Sequence, residues 1–258
     1  MSILFADISE HQGSFDARAY RNSGNEVIIC RVHNGNRVDH KMPGRMQAIR
    51  QVPFVAVGWY LYLVADRDAA TQAREACNVI GRLAANEFVV NDHEEGSGNQ
   101  VARCEAALAV MDAFGGFPAT LYAGASFLYE HLGGPKRWRR PLWIASYPGS
   151  YSPNPQAYPA EATFWQYSDR AHFTGLTGSN DGNYYPHGAA EFAAAVLGGR
   201  KPSAAAPAPE DVQAMALGTL PDGRQEVFVM LKSGEVVHRY NAKEGGWVGW
   251  QSLGKPGG

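Results

Sequence analysis

Neither sign of charge is in real excess. The chain carries 23 Lys and Arg against 25 Asp and Glu, a formal net charge of −2. A field that weak will not hold a polyanion, which excludes nucleic acid and anionic membrane surfaces as partners. Cysteine is scarce too: three residues, Cys30, Cys77 and Cys104. They sit in apolar or helical patterns without disulfide or zinc-ligand spacing, so they read as buried free thiols. No pair among the eight histidines has metal-ligand spacing, and no metal or other cofactor is expected. There is no window of 18 apolar residues, so no membrane-spanning helix is expected. The opening MSILFADISEHQG lacks a basic stretch, an apolar segment of signal length and a small-residue cleavage site. The chain is therefore expected to be made in a cytoplasm without an export signal of its own. What is plentiful is aromatic: 11% of residues, with 6 Trp and 12 Tyr, side chains that stack on sugars or fill interfaces.

The sharpest change in composition is the Pro/Ala-rich run GGRKPSAAAPAP, Gly198 to Pro209. It cannot pack a core and reads as a semi-rigid linker. Three segments are expected: a domain over 1–198, a linker over 199–209 and a small unit over 210–258. In the first, β-rich runs occur at Ile3–Ser9, Glu26–His33, Phe54–Leu63, Glu87–Glu94, Ala119–Gly124, Leu142–Tyr147, Thr163–Ser168 and Gly182–Tyr185. Helical stretches separate the early ones, at Phe15–Asn22, Pro43–Gln51, Asp68–Ala85, Gln100–Phe114 and Ser126–Leu132, the last with a serine in N-cap position. The order is five βα units and then three strands with no convincing helix between them. This predicts an α/β fold, a modified TIM-like barrel that has lost its last crossover helices. An open doubly wound sheet is the alternative, but SEHQG after the first strand is not its Gly-rich turn. The tail segments VQAMALGTL, DGRQEVFVML, SGEVVHRYN and GWVGWQSLG read as four short antiparallel strands joined by tight turns.

Barrels of this type place their chemistry at the C-terminal ends of the strands. Those ends carry Asp7 and Ser9, Arg31 and His33, Tyr60 and Tyr62, Asp92 and Glu94, Tyr122, Trp143 and Tyr147, and then Trp165, Gln166 and Tyr167. The eighth strand begins beside Asp181 and Asn183. Asp92 and Glu94, two apart on a strand, leave the same face. Like charges that close raise one pKa, yielding one neutral acid beside one carboxylate, which is what glycoside hydrolysis needs. Glu94 has the longer reach and is the better proton donor. The same D-x-E also reads as a solvated acidic loop capping the Gln100 helix, with Glu95 part of that cap. Asp7 reads equally as an N-cap or as a buried acid paired with Arg31, Asp181 as a turn residue, and His33 as a structural histidine.

FADISEHQG, VIICRVHNG, GWYLYLVA, NDHEEGSGNQ, LYAGASFL, LWIASY and FWQYSDRAHFTGLTGSNDGNYY, in that order over about residues 3–190, resemble glycoside hydrolase family 25. These are the Chalaropsis-type lysozymes, N-acetylmuramidases of bacteria and phages. The resemblance implies a barrel of five βα units and three further strands. It also implies hydrolysis of the β-1,4 bond between N-acetylmuramic acid and N-acetylglucosamine in peptidoglycan. By the same resemblance Glu94 is the general acid, Asp92 its paired carboxylate, and Asp7 and Asp181 the other two active-site acids. Tyr60, Trp143, Tyr147, Trp165 and Gln166 fall where the family lines its groove. Two positions depart from the pattern: Asn91 stands where the family usually has an apolar residue, and Leu61 where it often has histidine.

The tail resembles one blade of a tectonin-like or sugar-binding β-propeller. A lone blade exposes edges and an apolar face, so residues 210–258 are expected to assemble homo-oligomers or dock on the barrel. Two functional classes follow. One is a peptidoglycan hydrolase, a phage endolysin in particular, acting on the wall after release from the host cytoplasm. The other is a non-catalytic wall-binding or assembly protein on the same fold.

Overall fold

The computed structural model describes residues 1–149, 152–198, 212–219, 225–240 and 251–254. The chain forms two compact units, Met1–Gly199 and Arg200–Gly258. The expected linker over 199–209 and the tail residues Trp247 and Trp250 lie outside the described residues.

The first unit is a closed eight-stranded barrel in sequential order. Its strands are β1 (Ile3–Ile8), β2 (Val27–His33), β3 (Ala56–Tyr62), β4 (Glu87–Asp92), β5 (Thr120–Gly124), β6 (Leu142–Ala145), β7 (Phe164–Ala171) and β8 (Asn180–Tyr185). Neighbours from β1 to β7 are parallel. β8 runs antiparallel to both β7 and β1 and closes the ring. Five helices follow the first five strands: α1 (Ala17–Asn22), α2 (Met42–Arg50), α3 (Ala69–Ile80), α4 (Val101–Gly115) and α5 (Ala125–His131). This is the predicted five βα units and three further strands.

Local signals account for the helix ends. The Asp68 carboxylate accepts from the Thr71 backbone N–H at 2.8 Å, capping α3, and Gly81 at φ 67° ends it. Ala69, Ala73, Ala76, Cys77 and Ile80 make its buried stripe. One expected cap is absent. Ser126 lies inside α5, whose cap is Gly124, because β5 passes into the helix without an intervening turn.

A sixth helix, α6 (Ala189–Leu197), follows β8 where the sequence reading has none. Its alanine-rich stretch carries few large apolar anchors, but one of them matters. Phe192 is fully buried, with ring centroids 5.0 Å from Phe5, 5.0 Å from Phe164 and 6.0 Å from Phe88. Those three belong to the starts of β1, β7 and β4, so Phe192 plugs the floor of the barrel. Gly58 makes room for this packing. A Cβ there would lie 2.8 Å from Phe88 and 2.9 Å from Ile29. With the floor filled by aromatic packing, only the opposite end of the barrel is open.

The second unit contains a four-stranded antiparallel sheet ordered β12-β11-β10-β9: β9 (Val212–Thr219), β10 (Gln225–Leu231), β11 (Val236–Tyr240) and β12 (Gln251–Gly254). Val229 and Val237 are cross-strand partners, both buried on one face. Phe228 and His238 stack at 5.8 Å. Among the described residues, no helix is long and apolar enough to cross a membrane.

Candidate active site

A cavity of about 540 Å³ opens at the C-terminal ends of the parallel strands. Asp7, Tyr60, Tyr62, Asp92, Glu94, Tyr122, Trp143, Tyr147, Gln166 and Asp181 all line it. Strand parity puts them there. Asp7 is the register partner of Asp181, Tyr62 of Asp92, Asp92 of Tyr122, and Tyr122 of Trp143, so one interior face carries the set. β4 ends at Asp92, so Glu94 belongs to the loop beyond it and not to the strand. The extended backbone continues far enough, with the His93 N–H donating to the Tyr122 carbonyl at 3.0 Å. His93 is buried, with its ring centroid 5.5 Å from that of Phe127, and Glu94 returns to the cavity.

The four acids sit in different company. Asp7 is buried, and its Oδ2 accepts from Gln166 Nε2 at 2.9 Å and Asn183 Nδ2 at 2.8 Å. Gln166 Oε1 in turn accepts from the hydroxyls of Tyr122 at 2.9 Å and Tyr147 at 2.6 Å. Asn183 Oδ1 accepts from the Trp143 indole N–H at 2.8 Å. Asp181, half-buried, receives Gln12 Nε2 at 3.3 Å. The amide oxygen of that glutamine is held by the Ser9 backbone N–H at 2.6 Å. Asp92 is 6% exposed, and its Oδ1 is buried without a hydrogen-bond partner among the described residues. Glu94 stands at the mouth, an exposed residue whose carboxyl lines the cavity.

Crowding and burial raise all four pKa values. Burial takes Asp7 to about 6, against the downward pull of the Asn183 and Gln166 hydrogen bonds. Burial and then the charge of Asp7 take Asp181 to about 8. Asp92 lies well above the carboxylate range, through burial and then the charges of Glu94 and Asp7. Glu94 is raised by desolvation of its carboxyl, then by the charges of Asp7 and Glu95. Four carboxyls whose environments split their proton affinities are suited to acid-assisted cleavage of an acetal.

Residues 6–176 match the sequence pattern of glycosyl hydrolases family 25. The chain belongs to family 25. No curated protein matches it. Among solved structures, it is similar to a bacterial lysozyme from Streptomyces coelicolor, with 20% identity and a TM-score of 0.62 over 76% of this chain and 97% of that one. The catalytic domain of endolysin ply40, from bacteriophage P40 of Listeria monocytogenes, gives 22% identity and a TM-score of 0.61 over 77% and 98%. The CTP1L endolysin gives 26% and 0.57 over 76% and 69%. The chain is thus a glycoside hydrolase, and its barrel is the family 25 barrel. The family match ends before β8; closure of β8 onto β1 brings Asp181 to the cavity and Asn183 to Asp7.

Several residues stand elsewhere than the sequence reading places them. Trp165 is not in the groove. It is fully buried on the outer face of β7, in a cluster with Tyr167, Ala171 and Tyr184, and its indole N–H donates to the Ser146 carbonyl at 2.7 Å. Neighbours on a strand point to opposite faces, and Gln166 takes the inner one. Glu95 does not cap the Gln100 helix: it accepts from the Tyr62 hydroxyl at 2.7 Å and the Ala65 N–H at 3.2 Å, bracing one wall of the groove. Arg31 does not pair with Asp7. It lies 2.9 Å from Glu10 and 3.0 Å from Asp39. His33 is structural, accepting from the Gly35 N–H at 3.1 Å. The two departures from the family pattern lie outside the cavity lining. Leu61 is fully buried, and the Asn91 amide donates to the Cys104 sulfur at 3.5 Å.

Sequence reading missed Glu10 as part of the cavity wall. Glu10, Asp39 and His40 are close enough to hold a cation. However, Arg31 and Arg37 already neutralise them, with Arg37 2.8 Å from Glu10. Arg37 is the leading cause that draws the Glu10 pKa down to about 2.

Proposed function

We propose that this family 25 enzyme is an N-acetylmuramidase that cleaves the β-1,4 bond between N-acetylmuramic acid and N-acetylglucosamine of bacterial peptidoglycan. The observation that carries the reading is the convergence of Asp7, Asp92, Glu94 and Asp181 on one aromatic-lined cavity. Glu94, at the mouth, donates its proton to the glycosidic oxygen as the bond breaks. Asp92, with a buried and unpartnered oxygen, orients the substrate's acetamido group, whose carbonyl oxygen attacks the anomeric carbon. Water then attacks the anomeric carbon from the face the leaving group vacated, opposite the acetamido oxygen, and breaks the bond to that oxygen, so two inversions give net retention of configuration. Such neighbouring-group assistance is a known variant of two-carboxylate chemistry. Tyr60, Tyr62, Tyr122, Trp143, Tyr147 and Gln166 form the walls against which the sugar rings lie.

The biological setting we propose is a phage endolysin, made in the host cytoplasm and acting on the wall after release. Two of the structural neighbours are named endolysins, which supports this setting. The second unit, a four-stranded sheet with β9 and β12 at its edges, serves to join copies of the chain and raise avidity for a repetitive polymer.

Purified walls test the chemistry. Turbidity should fall with the native enzyme and more than a hundredfold more slowly with Glu94→Gln. Mass analysis should show new reducing ends of muramic acid, and NMR of the first product the β-anomer. An active Glu94→Gln variant removes the assigned acid, glucosamine ends remove the bond assignment, and an initial α-anomer removes retention. Light scattering of the full chain beside one ending at Gly199 tests the assembly role; two monomers would end it.

A further inference from the structure

Hydrogen-bond donors are shared unequally among the four carboxyls. Asp7 Oδ2 receives two amide N–H groups. Asp181 receives one, at 3.3 Å. The Oδ1 of Asp92 receives none among the described residues. The amides on Asp7 are also held from behind. Trp143 has only an N–H to offer, so its bond to Asn183 Oδ1 fixes that amide with its nitrogen toward Asp7. On the other amide, the hydroxyls of Tyr122 and Tyr147 both donate to Gln166 Oε1, and its nitrogen is the end toward Asp7. Two N–H groups aimed at one carboxyl oxygen favour its charged form.

We propose that Asp7 is the standing anion of the cluster, and that Gln166 and Asn183 are positioning residues that hold it ionised so that its charge keeps a proton on Glu94. This rests on Glu94 being the acid. The groups facing Asp7 agree with the assignment. Arg31 on β2 is occupied by Glu10 and Asp39. Tyr20 on α1 gives its hydroxyl to the Val27 carbonyl. Tyr60 on β3, Tyr122 on β5 and Tyr147 after β6 all have raised pKa values and stay neutral. Among the acids, the charge of Asp7 raises Asp92 on β4, Glu94 beyond it and Asp181 on β8. With two oriented amide donors on Asp7, one on Asp181 and none on Asp92 Oδ1 among the described residues, Asp7 is the acid whose anion is best held. The enzyme would carry an acid whose protonation depends on two amides that never touch the proton.

Carboxyl-carbon NMR titration of the full chain labelled at Asp and Glu tests this, with Asp7→Asn assigning the Asp7 resonance. Asp7 should have the lowest midpoint of Asp7, Asp92 and Asp181. Gln166→Met should raise it by about one pH unit, the size expected for one lost charge-assisted bond. Asp7→Asn should lower the Glu94 midpoint and move the basic limb of residual wall hydrolysis to lower pH. If Gln166→Met does not fold, Tyr122→Phe with Tyr147→Phe removes the two hydroxyls that turn the amide, and the Asp7 midpoint should move the same way. An Asp7 that titrates after Asp92 or Asp181, or a midpoint unmoved in the folded variant, overturns the proposal. Full hydrolysis by Glu94→Gln defeats the functional reading instead, and leaves the titration order to be judged separately.

Discussion

The two ends of the barrel are built from the same strands and do opposite work. At the floor, Phe5, Phe88 and Phe164 close around Phe192 with ring centroids 5.0–6.0 Å apart. At the mouth, two to four residues further along β1, β4 and β7, the same inward-facing rows carry Asp7, Asp92 and Gln166. The floor is dry and gains stability from apolar burial. The mouth gathers four acids whose pKa values are all raised. A raised carboxyl pKa means that the fold disfavours the ionised form. One end thus supplies the stability that the other gives up to hold a reactive cluster.

The contrast can be broken first from below. Phe192→Ala should cost about 3–5 kcal/mol and lower the melting temperature by about 10 °C. Below that temperature, the pH profile of wall hydrolysis should keep its shape. Calorimetry beside a pH–rate series checks both, and a displaced profile would mean that floor and mouth are coupled.

Next, the mouth can be relieved. Asp181 is raised from an ordinary 3.8 to about 8. Its protonated form is the one the fold favours, so its contribution is fully present below about pH 4 and is lost as pH rises through 8. Asp181→Asn should therefore melt with the native chain at pH 4 and a few degrees above it at pH 8, while losing activity. Thermal melts at the two pH values decide the sign. Glu10 titrates in the opposite sense. Its pKa is drawn down to about 2, so its stabilisation is present above about pH 4.5 and fades as pH falls toward 2.

A smaller test separates the two faces of a single strand. Trp165→Phe should lower stability and leave the KM for wall fragments unchanged. Tyr147→Phe, which removes a hydroxyl from the cavity wall, should alter kinetics with little effect on melting. The smallest expected effect is that of a chelator. The Glu10, Asp39 and His40 group is already occupied by Arg31 and Arg37, so EDTA should leave the rate of turbidity loss unchanged.

Much of the mouth was legible in advance. Asp7, Asp92 and Asp181 mark strand ends, with Glu94 just beyond one, and a barrel brings strand ends together whatever the details of its loops. Parity was less legible. In the run F-W-Q-Y, large apolar and polar residues adjoin, so alternation by itself assigns no face. Trp165 went outward only because Gln166 is held inside by two tyrosines and Asp7. Glu95 was also unreadable, since its partner Tyr62 lies 33 positions away. The floor helix escaped notice because alanine carries little amphipathic signal, and the one residue that anchors it acts through distant strands.

Taken alone, the sequence determined the order and period of the elements: five βα units, three strands, and a separate four-strand tail. Those are local properties, written in hydrophobic spacing and turn residues within a few positions of one another. Only the tertiary structure decided which carboxyl receives which donor. Asn183 and Asp7 are 176 positions apart and meet because β8 turns antiparallel and closes on β1. Proton affinity depends on burial and on neighbours a few ångströms away. Those distances exist only once the ring is shut.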